Sequence, residues 1–530
     1  MGARRKPRVS AVYPIGAPLG GIDDASPEAN MSSNYALDMV NWFPESGGLS
    51  VRSGYQEHVT GMSANGKTLM EYVAADGTVE LYCCTDDGVF DVTTSTDTPT
   101  NVHTLTEGKV IWTMFSNIAG QWLVGCNGVD PAFLYDGSTW VDFVTDAAPS
   151  APGEIETGGI APNNIAYVHV HKNRLWFVER DTMSAWHFGL NAISGTTTEF
   201  PVGGIFSKGG YLNALFSFSL DSGVGVDDLL VFQSSKGEVG GYSGSDPTSS
   251  TDWSLLARYF LGSPLGRNTN EELNGDVLLM TEFGLVSLSS VVMGTYRLGD
   301  ITTTVSGKIN RTLNTAVRQR SGSPNWELRA SPVNQFMMIV FPTSGNMAPV
   351  QFIMNSVTGA WTKFDLPMLT VLEHQQSLYF TDETGRVLKY GSVELDDLLL
   401  DDTGGSPVVT GLQQAFSSFD SPTTNKHYKF IKPIFDSTYE PAIATVISTD
   451  YSPLDLDSLT DPTAQPGSGT TFWDVGLWDT AIWAKENTTF QGLIGVFGIG
   501  YAASLIMKTR TAVATRFVAT HWVFEQGISL

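Results

Sequence analysis

Short apolar segments end in an aromatic residue, break at a polar turn and start again along most of this chain. That recurrence constrains its fold more than any other feature. Tyr135-Asp136-Gly137-Ser138-Thr139-Trp140 is one copy of the theme, and Asn355-Ser356-Val357-Thr358-Gly359-Ala360-Trp361 is another. Phe380-Thr381-Asp382-Glu383-Thr384-Gly385, followed by Tyr390-Gly391, is a third. Val, Ile, Phe, Tyr and Trp favour strands, while Gly, Asp, Asn and Ser favour the turns between them. The units repeat on the order of every 40–50 residues, the period of propeller blades. A small meander cannot bury both its faces alone, and stacking meanders radially supplies the missing surface. The expected fold class is therefore all-β, with a β-propeller of roughly six or seven blades over residues 61–392. A series of β-sandwiches is the alternative arrangement of the same strands.

The remaining chain divides around that unit. Residues 1–60 read as an N-terminal arm with a first strand, and its basic start (Arg4, Arg5, Lys6, Arg8) suits a flexible terminus or an acidic neighbour. Residues 393–410, beginning Val393-Glu394-Leu395-Asp396-Asp397, read as a solvated acidic linker, because the spacing lacks the regular ligands and closing Glu of a calcium loop. Residues 411–530 read as a separate β domain resembling a sandwich. One helix is expected, Ser306 to Arg320, with Ile309, Leu313, Ala316 and Val317 on one stripe and Lys308, Arg311, Arg318 and Arg320 off it. Those four cations are candidates for contact with phosphates or an acidic neighbour, or else form a solvated face.

The composition excludes several classes. With 42% hydrophobic and 16% charged residues the chain is not disordered. At 530 residues it can bury a core without staples. Its three cysteines give no disulfide framework, and Cys83 and Cys84, adjacent in a strand, are expected to face opposite sides. Pro14, Gly16 and Pro18 interrupt the N-terminal apolar stretch, so it makes a poor signal peptide, and no run is long enough to span a bilayer. A net charge of −25 repels nucleic acid phosphates. It argues against gripping DNA, but not against a surface along which DNA slides.

No motif carries chemistry. Phosphate-binding loops, zinc spacings and nucleophile elbows are absent from the sequence, and no cofactor is expected. Gly498-Ile499-Gly500 lies inside a strand, where it signals close packing. His169 and His171 share a strand face without an identifiable third ligand. A glycosidase carboxylate pair cannot be picked out among 55 acidic residues. Trp473, Trp478 and Trp483 recur every five residues, a spacing that fits neither helix nor strand. They suit packing or inter-subunit anchoring, with a sugar platform as the alternative. Trp42 and Phe43 are further candidates for packing or an interface.

Several segments, in a shared order, resemble the tail nozzle (tail tubular protein B, or tail hub) of short-tailed bacteriophages. They are the opening motif from Asn34 to Tyr55, with its aromatic-Pro-Glu, glycine pair, arginine and closing Gly-Tyr, and the stretch from Leu229 to Leu256. The Trp-Asp steps, the strand around Gly498 and Gly500, and the near-terminal His521-Trp522-Val523-Phe524-Glu525-Gln526-Gly527 complete the set. The resemblance implies a non-enzymatic virion protein forming a homohexameric ring at the end of the tail, assembled in the bacterial host cytoplasm. It also implies contacts with a head-to-tail adaptor, with tail fibres or spikes, and with a plug or needle, and passage of double-stranded DNA through the axis. Two other classes remain open: a propeller that binds receptors or glycans, and a glycan-degrading tail enzyme.

Overall fold

A computed structural model describes residues 10–145, 155–221, 226–320, 322–323, 325–343, 349–463 and 488–527. Among them, strands dominate, and seven units of three to five strands follow one another along the chain, antiparallel except for the parallel Ile155–Glu156 at the edge of the second. Blade one is Thr68–Val73, Val79–Thr85, Gly88–Asp91 and Thr100–His103. Blade two starts at Ile111–Asn117, blade three at Ile165–His171 and blade four at Leu212–Asp221. Blade five is the three-stranded unit Asn270–Leu273, Asp276–Thr281 and Gly284–Ser287, with the short helix Leu288–Val292 in place of a fourth strand. Blade six runs from Glu327–Ser331 to Trp361–Phe364. Blade seven is Thr370–His374, Ser377–Thr381 and Val387–Tyr390, and its fourth strand is Tyr55–Val59 from the other end of the chain.

The first strand of each blade touches the next blade in sequence around a ring, and Thr370–His374 of blade seven meets Thr68–Val73 of blade one to close it. The fold is therefore a β-propeller. Blades one to five are free-standing sheets, whereas blades six and seven run on into the sheet of a second domain.

The core is divided as the blades are. One apolar cluster lies between each neighbouring pair: Leu69, Cys83, Phe90 and Val387 between seven and one, and Met70, Cys84, Leu123 and Phe133 between one and two. Cys83 and Cys84 thus fall in different clusters, and both are free thiols. Burial pushes the Cys83 thiol up to about 12. Both faces of a blade are covered, so strands such as Val79–Thr85 are buried almost continuously rather than at alternate positions.

The second domain is built from both chain ends. Lys426–Ser437 pairs along its length with Thr515–Gln526. Gly404–Gln414 pairs with Ala503–Thr511, which also holds Ala442–Thr449. The N-terminal region completes it: Ser10–Gly16 lies on Thr515–Gln526, Ala36–Val40 on Gly404–Gln414, and the hairpin Trp42–Glu45/Gly48–Val51 joins the same sheet as Thr515–Gln526. The expected divisions are corrected accordingly. The strands within residues 10–51 belong to the second domain, so this stretch is not a free arm.

Residues 393–410 are likewise not a solvated linker, because Leu395–Leu398 and Gly404–Gln414 are strands. The carboxylates mistaken for linker charge serve two arginines. Arg52, almost fully buried, donates from both terminal nitrogens to Asp396 at 2.7 and 2.8 Å. It also reaches Asp365 at 3.1 Å, the side-chain oxygen of Asn41 at 2.8 Å and the carbonyl of Ser53 at 3.0 Å. Burial opposes its charge, but Asp396 and Asp365 more than offset this, and its pKa stands raised. Arg386 likewise binds Glu57 at 2.9 Å, Asp397 at 2.8 Å and Asp382 at 2.7 Å. Two residues beyond Arg52, Gly54 lies so close to Leu395 that a Cβ there would sit 1.9 Å from the Leu395 carbonyl oxygen. The opening motif's Arg-Ser-Gly-Tyr is thus the point where the chain leaves the second domain and closes the ring.

Removing one partner of a buried ion pair costs about 3–5 kcal/mol, because the other is left uncompensated. Arg52→Met should therefore lower unfolding free energy in urea by about that much, and Arg52→Met/Asp396→Leu should recover part of it. A loss below about 1 kcal/mol would show that the junction is held by the strands alone.

Candidate interaction surfaces and the propeller axis

Trp42 is fully buried with its ring 6.3 Å from Phe517, and its carbonyl accepts a 2.6 Å hydrogen bond from the Thr362 hydroxyl. Phe43, partly buried, meets Phe336 of blade six edge-on at 6.1 Å. Phe43 packs the hairpin against the propeller, while the Trp42 ring packs into the second domain and its carbonyl ties the hairpin to blade six. Trp473, Trp478 and Trp483 lie outside the described residues.

The expected helix is found as Asn310–Gln319, preceded by one 3-10 turn. Ile309, Leu313 and Ala316 are buried against the largest core cluster, with Val317 beside them. Its cations do not act together. Arg320 is buried, donates to the Pro342 carbonyl at 3.0 Å and lies over the Phe341 ring. Lys308 is 2.6 Å from Asp23 and also over Tyr35. Asp24 accepts from the backbone N–H groups of Arg311 and Thr312, so the helix start already has its anion. Arg311 and Arg318 are exposed.

A cluster of exposed apolar side chains, which sequence reasoning missed, lies on the second domain. Ile494–Gly500 pairs with Lys426–Ser437 on one edge, and no ladder covers its other edge among the described residues. Gly498 and Gly500 face inward, where a Cβ would come within 2.7 Å of Ile447 and 2.9 Å of Asp450, so the glycine pair reflects close packing as expected. The intervening positions point out: Phe497 is 82% exposed and Ile499 56%. Phe430 on the neighbouring strand and Leu493 and Tyr501 at the strand ends are exposed too. The signal was present in Val496-Phe497-Gly498-Ile499-Gly500, where large and glycine residues alternate, but either face could have been the buried one.

The propeller axis holds polar groups from successive first strands around a cavity of about 270 Å3. Glu271 of blade five and Arg329 of blade six stand 3.6 Å apart, and burial raises the Glu271 pKa even against that guanidinium. Glu327 is fully buried, accepts from the Thr370 hydroxyl at 3.0 Å and pairs with Lys109; burial alone would raise its pKa, and Lys109 and Arg329 bring it below normal. His169 and His171 do share a face, and both contact the Ser217 hydroxyl of blade four, at 3.0 and 2.9 Å. A hydroxyl with one hydrogen donates to one ring and accepts from the other. Enclosure within the ring, and secondarily His171, lowers the His169 pKa to about 4, so it is neutral at pH 7. His169 has no carboxylate partner to orient it as a base, and no group of three metal-binding side chains occurs among the described residues.

No protein-family model and no curated protein matches the chain. Among solved structures, YCF48 from Cyanidioschyzon merolae is similar at 10% identity and a TM-score of 0.37, over 64% of this chain and 99% of that one. The Pan2 WD40 domain of Neurospora crassa is similar at 10% identity and a TM-score of 0.35, over 62% and 90%. The β-propeller domain of Cps50 (Swd1) from Myceliophteria thermophila is similar at 11% and 0.35, over 62% and 97%. Likeness at this level says nothing of function, and the fold rests on the blade topology described above.

The lowered His169 pKa has a sign that can be tested. Above about pH 6.5 the residue is neutral folded and unfolded, and it contributes nothing to pH dependence. Between about 6.5 and 4 the unfolded chain takes up a proton that the native one refuses, so stability falls as pH falls, and it levels off below about 4. Thermal melts across this range should show a shallower decline in His169→Gln; an unchanged slope would place the titration elsewhere.

Proposed function

We propose that this chain is a non-enzymatic structural subunit of a bacteriophage tail, a nozzle-type protein whose copies assemble side by side into a ring. The observation that carries the reading is the outward apolar face of Ile494–Gly500, on a strand whose second edge is unpaired among the described residues. Exposed apolar surface next to open backbone groups is a template for association, and in this reading a second copy of the chain covers it. The resemblance of the opening motif and of the strand around Gly498 to tail nozzles supplies the ring. The six-fold symmetry, and the adaptor above and the fibres, spikes or plug below, come from that resemblance as well.

The charge fits the same role. Six copies would carry six times −25, and acidic residues lining a lumen would repel duplex DNA and let it slide during ejection. Before infection, a narrowing of the same ring would retain the packaged DNA.

Negative-stain imaging of the purified protein should show a ring with a central hole. Phe497→Asp/Ile499→Asp should leave the melting temperature within a few degrees, since both side chains are exposed, and should convert rings to monomers in sedimentation. A wild-type chain that stays monomeric at every concentration and beside its tail partners overturns the reading, as does a double variant that still forms rings.

A further inference from the structure

A second cavity, of about 460 Å3, opens at the rim of the propeller axis where the chain enters the blades. It shares Ile111 and Asn268 with the axial cavity below it. Its size falls in the about 300–1,000 Å3 range of small-molecule sites. Three cations, Lys67, Lys109 and Arg267, border it together with one carboxylate, Glu107.

The three cations differ in one respect. Lys67 is matched by Asp86 at 2.7 Å and Glu107 at 3.0 Å, and Lys109 by Glu327. Arg267 has no carboxylate partner among the described residues. One terminal nitrogen donates to the carbonyls of Asn213 at 2.7 Å and Leu212 at 3.4 Å, and the guanidinium lies 5.5 Å from the Tyr211 ring centre. Its Nε and second terminal nitrogen have no protein partner among the described residues. Burial works against its charge and outweighs the favourable fields of Tyr211 and the more distant Asp181, neither of which is an ion-pair partner. A guanidinium held by one corner, with the rest of its fork free beside a cavity, has the geometry that binds a carboxylate through two parallel hydrogen bonds.

The other lining groups say what accompanies that carboxylate. The side-chain amides of Asn268 and Asn325 make no hydrogen bond to the described protein and offer both donors and acceptors. The ring of Tyr211, 37% exposed, provides a flat wall. Amides for hydroxyls, an aromatic wall and one unmatched guanidinium suit a hydroxylated carboxylate better than a bare anion or an apolar acid.

We propose that this rim pocket binds an acidic sugar of the uronic acid class, its carboxylate on Arg267 and its hydroxyls on Asn268 and Asn325. The proposal stands apart from ring assembly, which uses the opposite domain.

The probes are galacturonate and glucuronate, titrated into the intact protein by saturation-transfer NMR and calorimetry, with glucose and acetate as controls. Saturable binding of a uronate at millimolar concentration or tighter is expected, with glucose and acetate at least tenfold weaker. Arg267→Gln should weaken uronate binding at least tenfold; it breaks no ion pair, but it gives up the hydrogen bonds to the Asn213 and Leu212 carbonyls, so its melting temperature is measured alongside. Asn268→Ala, a separate test should Arg267→Gln misfold, should weaken it severalfold. Neither uronate binding, acetate binding as tightly as a uronate, or both variants binding like wild type would overturn the proposal.

Discussion

Closure of the ring by a strand from the far end of the chain is the constraint on which the structure depends. Each blade buries two faces against two neighbours, so a propeller with a gap would leave two apolar faces in water. The gap would fall between blade seven and blade one. Tyr55–Val59 fills out blade seven by pairing with Val387–Tyr390, and Val59 and Val387 then join the cluster shared with Leu69 and Leu81 of blade one. The strand can reach that position only if the chain before it is fixed. Arg52 fixes it electrostatically, clamped between Asp396 and Asp365, and Gly54 fixes it sterically, where no side chain fits beside Leu395. One short motif therefore couples closure of the propeller to folding of the second domain. In the entropy-dominated balance of folding, an interaction that ties residues 52 and 396 together closes a very long loop once rather than piecemeal.

The same coupling explains which parts of the architecture could be read in advance. Blade-scale recurrence was legible because every blade obeys the same two-faced burial, and Cys83 and Cys84 fall on opposite faces as strand geometry demands. The helix was legible because Ile309, Leu313 and Ala316 make one stripe. The blade boundaries were harder to place. The repeated aromatic-turn-aromatic theme does not sit at one place in the meander: Asp136 and Asn355 fold the turn between third and fourth strands, each accepting from backbone N–H groups two and three residues on. Asp382 folds the turn between the second and third. A local side-chain-to-backbone turn is the same object wherever it falls, so the motif marks a hairpin without saying which one.

The second domain was misread for a different reason. A run such as Glu394-Leu395-Asp396-Asp397 looks solvated when one partner, Arg52, is 344 residues away and the other, Arg386, lies immediately before the preceding strand, and sequence periodicity carries no sign that either will stand opposite. Strand order is also invisible locally. Ser10–Gly16 and Thr515–Gln526 are neighbours in the sheet although they are the first and last described strands. The cations off the helical stripe failed as a group because a helix end collects local partners: Asp23 takes Lys308, Asp24 takes the helix N-terminus, and Arg320 turns inward onto Phe341.

What distinguishes the exposed strand of the second domain is the care with which other edges are treated. Two outer strands of the propeller are short and polar: Thr100–His103 has no fully buried residue, and Thr198–Pro201 ends in a proline that cannot extend a ladder. The outer strand of blade four, Ser254–Phe260, is longer and exposes Leu255 and Leu256, but it carries the charge of Arg258. Shortness, polarity and proline are the means by which β proteins discourage edge-to-edge pairing. Blade five does without an outer strand and covers the position with Leu288–Val292. Against that background Ile494–Gly500 stands out, seven residues long, without charge or proline, and with Phe497 and Ile499 turned to solvent. Its second edge is unpaired among the described residues, and its inward side is already satisfied, since Gly498 is packed on Ile447. The outward face is then surplus to the folding of the subunit, which is the condition for a surface that serves assembly.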